Sequence, residues 1–208
     1  MLARLRSPAR TCDSARPMPD FRRTHDPGGT FFFTRVTDGR APFLCDTPAP
    51  QLLRDITRQT RARWPFTIDA MVVLPDHLHT IWTLPDDDTN YSIRLAWLKK
   101  EFTKRWLQHG GAERVRSTGR TRDGRRGIWQ PKFWEHAVRD HRDLERCVEY
   151  IHYNPVSHGV ATCPHAWRWS SFARWVRTGD YPADWACACD PGITVRMDFG
   201  RLSRTVGE

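Results

Sequence analysis

The alternation of apolar side chains between residues 66 and 84 constrains the fold more than any other feature of this sequence. The stretch divides at Leu74-Pro75-Asp76, a tripeptide typical of a tight turn. Because side chains alternate between the two faces of a strand, every second residue on each side of the turn should share one face. These residues are Phe66, Ile68, Ala70 and Val72 before the turn, and Leu78, Thr80, Trp82 and Leu84 after it. The pattern predicts two antiparallel strands.

The segments around this hairpin complete an alternating order of strands and helices. Aromatic and β-branched residues predict a first strand over 30–37 and a last strand over 133–139. Three helices are predicted, each from an N-cap residue followed by apolar side chains at helical spacing. The caps are Asp46 or Thr47 for the first helix, Ser92 for the second and Asp140 for the third. The order is that of an α+β fold: a ferredoxin-like antiparallel sheet with helices on one face, plus an appended helix.

Length and charge favour one domain that meets a polyanion. The 208 residues carry 33 basic and 24 acidic side chains, a formal net charge of +9, which is typical of a nucleic-acid partner. Codon bias is an alternative source of the many arginines. We expect one domain over 21–185, a disordered basic tail over 1–20 and a further tail over 186–208. No apolar run is long enough to span a membrane, and the scattered cysteines are typical of a reducing cytoplasm.

The basic side chains that could contact DNA lie on the second helix and in the loop that follows it. This loop, residues 110–127, is rich in glycine and arginine and is predicted to be flexible. A clamp on a phosphate backbone and a solvated insertion both agree with its composition. The candidate DNA-binding residues are Lys99, Lys100, Lys104, Arg122, Arg125, Arg126 and Lys132.

His77 and His79 form the first candidate chemical group. They are two residues apart on a predicted strand, so both imidazoles should point to one face while Leu78 points to the other. Two imidazoles on one face can converge on a single metal ion. A structural or surface pair of histidines is the alternative.

Tyr150 and Asn154 form the second candidate group, on the third helix. They lie ~40° apart around the helix axis, whereas Leu144, Val148 and Ile151 centre roughly 130° away. The pair should therefore occupy an edge outside the core. A tyrosine hydroxyl can form a covalent bond to phosphate, and an asparagine offers a hard carbonyl oxygen to a metal.

Three ordered motifs resemble those of a known family, and the resemblance extends from about residue 21 to residue 185. The motifs are Pro75-Asp76-His77-Leu78-His79, Trp129-Gln130-Pro131-Lys132-Phe133-Trp134-Glu135-His136 and Tyr150-Ile151-His152-Tyr153-Asn154-Pro155-Val156. They are similar to those of the REP-associated tyrosine transposases, which belong to the HUH single-tyrosine transposases.

The resemblance implies a bacterial enzyme that nicks single-stranded DNA beside a palindromic hairpin and leaves a 5′-phosphotyrosine on the protein. It implies that Tyr150 is the nucleophile, and that His77, His79 and Asn154 hold Mg²⁺ or Mn²⁺. Glu135 and His136 are then expected beside the site. The expected partner is single-stranded or hairpin DNA, with the protein cytoplasmic and nucleoid-associated when bound to DNA. Monomer and dimer both stay open.

Two rival functions use the same residues differently. A catalytically silent hairpin-DNA-binding protein derived from a transposase would keep the fold and the basic surface, and the intact candidate residues argue against it. A zinc hydrolase would use His77 and His79 with water as nucleophile, which leaves Tyr150 without a role. A separate zinc site from Cys163-Pro164-His165 and Cys187-Ala188-Cys189 is disfavoured, because neither segment has the spacing of a structural zinc ribbon.

Overall fold

The computed structural model describes residues 26–115, 126–189 and 197–199. The predicted N-terminal tail, residues 1–20, lies outside the described residues. Strands and helices follow in the predicted order, with one further short helix near the C-terminus. The strands are β1 (Thr30–Val36), β2 (Thr67–Val73), β3 (His77–Thr83) and β4 (Trp134–Ala137). The helices are α1 (Ala49–Arg63), α2 (Tyr91–Gln108), α3 (His141–Ser157) and α4 (Phe172–Thr178).

The four strands form one antiparallel sheet in the order β2-β3-β1-β4. This is the ferredoxin-like order, so the predicted fold class is confirmed. The register pairs His79 of β3 with Thr34 of β1, and His77 with Val36. The histidine strand therefore lies in the interior of the sheet, with a neighbour on each side.

Each face of the sheet has its own apolar core. Phe31 and Phe33 of β1 pack with α1 and α2 on one face, whereas Phe32 packs with α3 on the other. This split follows from the alternation of side chains along a strand. The apolar side chains at helical spacing on α2, from which this helix is predicted, are all buried: Leu95, Leu98, Phe102 and Trp106. The appended helix α3 thus covers the face that α1 and α2 leave open.

A β-bulge in β2 corrects one expectation about the hairpin. The pairing of β2 with β3 shifts between Ile68 and Ala70, so Asp69 is an extra residue. An extra residue reverses the faces that later side chains occupy. Ile68 consequently packs in the α1 and α2 core, and Ala70 in the α3 core. The prediction that 66, 68, 70 and 72 share one face is wrong for this reason.

The helix starts agree only partly with the predicted caps. Helix α1 begins directly after Pro48. Neither of its predicted caps, Asp46 or Thr47, provides a side-chain cap. Asn90, rather than Ser92, caps α2 by accepting the backbone N–H of Ile93 at 3.1 Å. Asp140 caps α3 as predicted, by accepting a backbone N–H of the first turn.

The outer edge of β2 is covered by residues 169–171. The backbone N–H of Val73 donates to Trp169 O at 2.8 Å, and the N–H of Ser171 donates to Met71 O at 2.8 Å. The N–H of Met71 donates in turn to Ser171 Oγ at 2.9 Å. The chain after α3 therefore closes this edge of the sheet. Within the described residues, no helix combines the length and apolar character needed to cross a bilayer.

Candidate active site

His77 and His79 lie side by side on the α3 face of the sheet. Both are buried, with 1% and 0% of their surface exposed, and their ring centroids are 4.9 Å apart. Leu78 between them packs in the core on the opposite face. The expectation that both imidazoles share one face is confirmed.

A neighbouring side chain fixes one nitrogen of each ring. His77 Nδ1 lies 2.6 Å from Asp76 Oδ1, and His79 Nδ1 lies 2.9 Å from Thr34 Oγ1. Such hydrogen bonds hold metal-binding histidines in a fixed orientation in many proteins. With Nδ1 held on the sheet, Nε2 is the candidate metal-binding atom of each ring.

Asp76 is held as a carboxylate. Burial pushes the pKa of Asp76 upward, but hydrogen bonds and charge from His77 and Arg40 outweigh it and lower this pKa to about 2. Arg40 Nη1 donates to the second carboxylate oxygen of Asp76 at 2.9 Å. An ionised Asp76 accepts a hydrogen bond from His77 Nδ1–H, which favours the tautomer in which Nε2 carries the lone pair.

Tyr150 of α3 faces the histidine pair. Its ring centroid is 5.3 Å from that of His79 and 5.9 Å from that of Phe32. Phe199 covers the other side, with its ring centroid 5.3 Å from that of Tyr150. The tyrosine is consequently only 3% exposed.

The expectation that Tyr150 and Asn154 occupy an edge outside the core is wrong. Asn154 is 1% exposed and Tyr150 is part of the α3 core. The pair does lie on a different side of α3 from Val148 and Ile151, but α3 lies between the sheet and C-terminal residues such as Phe199. More than one side of the helix is therefore covered.

Successive turns of α3 place three polar side chains along the histidine pair. His158, at the end of the helix, has its ring centroid 5.0 Å from that of His77. Tyr150 contacts His79. Asn154 is one helical turn from Tyr150 and one turn from His158, so it lies between these two residues. His158 is a site residue that the sequence reasoning missed. Its spacing of four residues from Asn154 was the available signal.

The donor atoms suit a divalent cation. His77 and His79 offer Nε2, and Asn154 offers a carbonyl oxygen, all from buried residues on facing elements. Two imidazoles and one neutral oxygen are acceptable ligands for Mn²⁺ and Mg²⁺. The residues present therefore fit the expected metal.

The side chains expected beside this site on β4 divide between the two faces. Glu135 Oε1 accepts a hydrogen bond from Tyr91 Oη at 2.8 Å on the α2 side of the sheet, so its expected position beside the histidines is wrong. Strand alternation explains the difference. His136 lies on the α3 side, where its Nε2 is 2.8 Å from Asp143 Oδ2 near the start of that helix.

The candidate DNA-binding lysines lie in the opposite layer from Tyr150. Lys100 and Lys104 are exposed on α2, and Lys132 is exposed just before β4. Lys99 Nζ donates to Gln130 O at 3.2 Å, which brings α2 next to the segment that leads into β4. These residues form a basic surface on the α2 side, separate from the histidine pair.

The basic loop is closed at its base by an ion pair. Arg126 Nε donates to Glu113 Oε1 at 2.8 Å, and the N–H of Gly127 donates to the same oxygen at 2.8 Å. Arg126 is therefore paired within the loop. Arg122 and Arg125 lie outside the described residues.

Comparisons with known proteins identify the family. No family model matches the chain. It is 39% identical to a protein of Haemophilus influenzae assigned as a REP-associated tyrosine transposase, over 88% of this chain and 100% of that protein. It is 41% identical to the REP-associated tyrosine transposase of Escherichia coli K12, over 81% of this chain and 92% of that protein.

A solved structure agrees with these relatives. The structure of a REP-associated tyrosine transposase bound to a REP hairpin is 38% identical in sequence and superposes with a TM-score of 0.68. The match covers 87% of this chain and 99% of that one. The chain therefore belongs to the REP-associated tyrosine transposases, which are enzymes of the HUH tyrosine transposase type.

Proposed function

We propose that this transposase nicks and rejoins single-stranded DNA next to a palindromic hairpin, with Tyr150 as the nucleophile. The observation that carries the proposal is the position of Tyr150, whose ring lies 5.3 Å from that of His79 inside a buried polar site. A REP hairpin is bound in the solved structure that this chain resembles. The proposal places the protein in the bacterial cytoplasm, on the nucleoid when DNA is bound.

His77, His79 and Asn154 are the residues that would hold Mg²⁺ or Mn²⁺. When bound, such an ion polarises the scissile phosphate and offsets its negative charge. Asp76 and Thr34 keep the two imidazoles oriented through their Nδ1 atoms. The sheet and α3 thus supply a prearranged set of ligands.

The covalent step exchanges one phosphate ester for another. Tyr150 Oη attacks the phosphorus, a bond forms between them, and the bond from phosphorus to the 3′ oxygen breaks. The phenolic proton is lost to solvent, and the departing 3′ oxygen takes up a proton to become a hydroxyl. The products are a 5′-phosphotyrosine and a free 3′-hydroxyl, with no change in oxidation state. In rejoining, a 3′-hydroxyl attacks the phosphorus of the phosphotyrosine, and the bond from phosphorus to Tyr150 Oη breaks.

Access to Tyr150 requires a local change. The tyrosine is 3% exposed and Phe199 packs against its ring, so a phosphate reaches Oη only after side chains around Tyr150 move, and Phe199 is the candidate. Displacing one side chain is a small change compared with opening the core between α3 and the sheet.

The basic surface on the α2 side is proposed to bind the hairpin phosphates. Its members are Lys99, Lys100, Lys104 and Lys132, with Arg122, Arg125 and Arg126 of the adjoining loop as further candidates. Lysine and arginine contacts to phosphates supply affinity that is independent of base sequence. The duplex would then lie away from Tyr150, with a single-stranded arm reaching the site.

One assay tests the proposal. The protein is incubated with a hairpin carrying single-stranded arms, with Mg²⁺ or Mn²⁺, and run on a denaturing gel. We expect a covalent protein-DNA band and a shortened strand with a 3′-hydroxyl, and neither product in EDTA. Hairpin binding without an adduct, under every metal condition, would favour the silent DNA-binding protein instead.

A further inference from the structure

Three cysteines meet at a point that the proposed chemistry does not use. Cys163 is fully buried at the start of a short 3-10 turn after α3, and Cys187 and Cys189 lie in the C-terminal segment. The three Sγ atoms all lie within 4.8 Å of one another. Sγ of Cys187 and Sγ of Cys189 are 2.9 Å apart.

The valence of sulfur limits how this cluster can be bonded. Cys163 Sγ lies within bonding distance of both Cys187 Sγ and Cys189 Sγ. A cysteine sulfur forms one disulfide bond, so a disulfide would use two of the three sulfurs and leave the third in contact with the pair. A single metal ion, in contrast, binds three thiolates at once.

A backbone hydrogen bond joins the two segments independently of the sulfur atoms: the N–H of Ala188 donates to Thr162 O at 3.0 Å. A turn within the C-terminal segment, in which the N–H of Cys187 donates to Asp184 O at 3.0 Å, positions Cys187. Thr162 Oγ1 lies 3.7 Å from Cys189 Sγ, where its hydroxyl can donate to a thiolate. The cysteines are thus held close together by the chain around them.

We propose that Cys163, Cys187 and Cys189 form a Zn²⁺ site separate from the histidine site. Thiolates are the preferred ligands of structural zinc, and three of them with one further ligand complete a tetrahedral site. Among the described residues, no histidine or carboxylate joins these three cysteines in their group of close ligand atoms. The fourth position is therefore assigned to water. Binding displaces the thiol protons and needs no oxidant.

The site would tie the C-terminal segment to the chain that follows α3. Between the cysteines lies an aromatic cluster in which Tyr181 packs against Trp185 and against His152 of α3. A zinc link at residues 187–189 would hold this cluster on the outside of the helix that carries Tyr150. The role is structural, and it holds whether or not Tyr150 cuts DNA.

Cys45 supplies a matched control. It is a free thiol outside the cluster, and burial raises its pKa to about 12. Cys45 is half-buried, so Cys45→Ser should disturb the fold little. Cys189 is exposed, so Cys189→Ser removes one ligand without disturbing the core, whereas Cys163→Ser removes the buried ligand.

The test measures metal content and ligand type in the full chain. Protein purified with a phosphine reductant and excess Zn²⁺, then dialysed, is analysed for metal by mass spectrometry, on a background of His77→Ala and His79→Ala to remove the histidine site. Replacement of Zn²⁺ by Co²⁺ reports thiolate ligation through a sulfur-to-cobalt charge-transfer band in the near ultraviolet. Circular dichroism confirms that each variant is folded.

We expect one zinc per chain and the charge-transfer band in the background protein and in Cys45→Ser. Both signals should fall at least tenfold in Cys189→Ser and in Cys163→Ser. A zinc-free background protein would overturn the proposal. This holds whether its three thiols are free or its intact mass shows the loss of two hydrogens that accompanies a disulfide. Zinc retained in both ligand variants would overturn it as well.

Discussion

Replacing Tyr150 with phenylalanine should abolish DNA cleavage and leave the fold intact. The change removes one oxygen and keeps the ring that packs against Phe32, His79 and Phe199. No cavity forms, so the cost to stability is at most that of one hydrogen bond, about 0.5–1.5 kcal/mol. Alanine at this position would instead cost about 3–5 kcal/mol and would confuse loss of chemistry with loss of fold.

The small stability cost of Tyr150→Phe allows a loss of cleavage to be attributed to the chemistry. A domain with a free energy of unfolding of only about 5 kcal/mol would retain about 3.5 kcal/mol in the variant, which keeps more than about 99% of the molecules folded. A fall of adduct to the detection limit therefore cannot come from unfolding. Hairpin affinity, measured by a gel shift, should stay within about threefold, because the proposed phosphate contacts lie on α2 and near β4.

Tyr153 provides the matched control on the same helix. It is also buried, at 7% exposure, and its ring contacts Phe199 at a centroid distance of 6.0 Å. It lies ~100° from Asn154 around the helix axis, compared with ~40° for Tyr150. Tyr153→Phe should keep adduct formation with at most a modest loss. Mass spectrometry that finds the DNA phosphate on Tyr153, or cleavage that persists in Tyr150→Phe, would refute the choice of nucleophile.

Three further predictions follow from the site and its surroundings. Chelation, His77→Ala and His79→Ala should each abolish cleavage in the gel assay, while Asn154→Ala should lose less because water can replace one neutral oxygen ligand; equal losses would give Asn154 another role. Changing the three lysines of α2 to glutamine should lower the salt slope of log affinity by up to about 2, since each contact to a single strand contributes ~0.7; an unchanged slope would place the DNA elsewhere. Burial, together with the charge of Arg174, lowers the pKa of His152 from 6.5 to about 3. The unfolded chain therefore binds this proton first, and the free energy of unfolding should fall by about 2 kcal/mol as the pH drops from about 7 to about 5. Urea titrations should show this loss reduced in His152→Gln, and an equal loss in both proteins would contradict the assignment.

Strong local periodicity explains what could be predicted from the sequence. The alternation around His77 and His79 requires both rings to share a face, and the four buried residues of α2 follow helical spacing. The order of elements suggested the ferredoxin-like sheet, although only the register shows which strands are neighbours. Helical spacing also predicts that Tyr150 and Asn154 lie on one side of α3, but it does not predict that this side is buried.

The remaining features depend on contacts that local periodicity does not contain. The bulge at Asp69 interrupts the alternation of β2 without a glycine or proline to mark it. The burial of Tyr150 depends on Phe199, which is far along the chain. The cysteine cluster likewise joins residues separated by 24 and 26 positions, outside the spacing of zinc ribbons.

The covering of β2 by residues 169–171 restricts how two copies of this protein could associate. An exposed edge strand can pair with a second chain and extend one sheet into the next. At β2 the hydrogen-bonding groups of Met71 and Val73 are already used by Trp169 and Ser171. A dimer built by continuous strand pairing through β2 would first have to displace residues 169–171 from this edge. A dimer that extends the sheet would therefore have to pair through β4, the other edge strand of the described sheet.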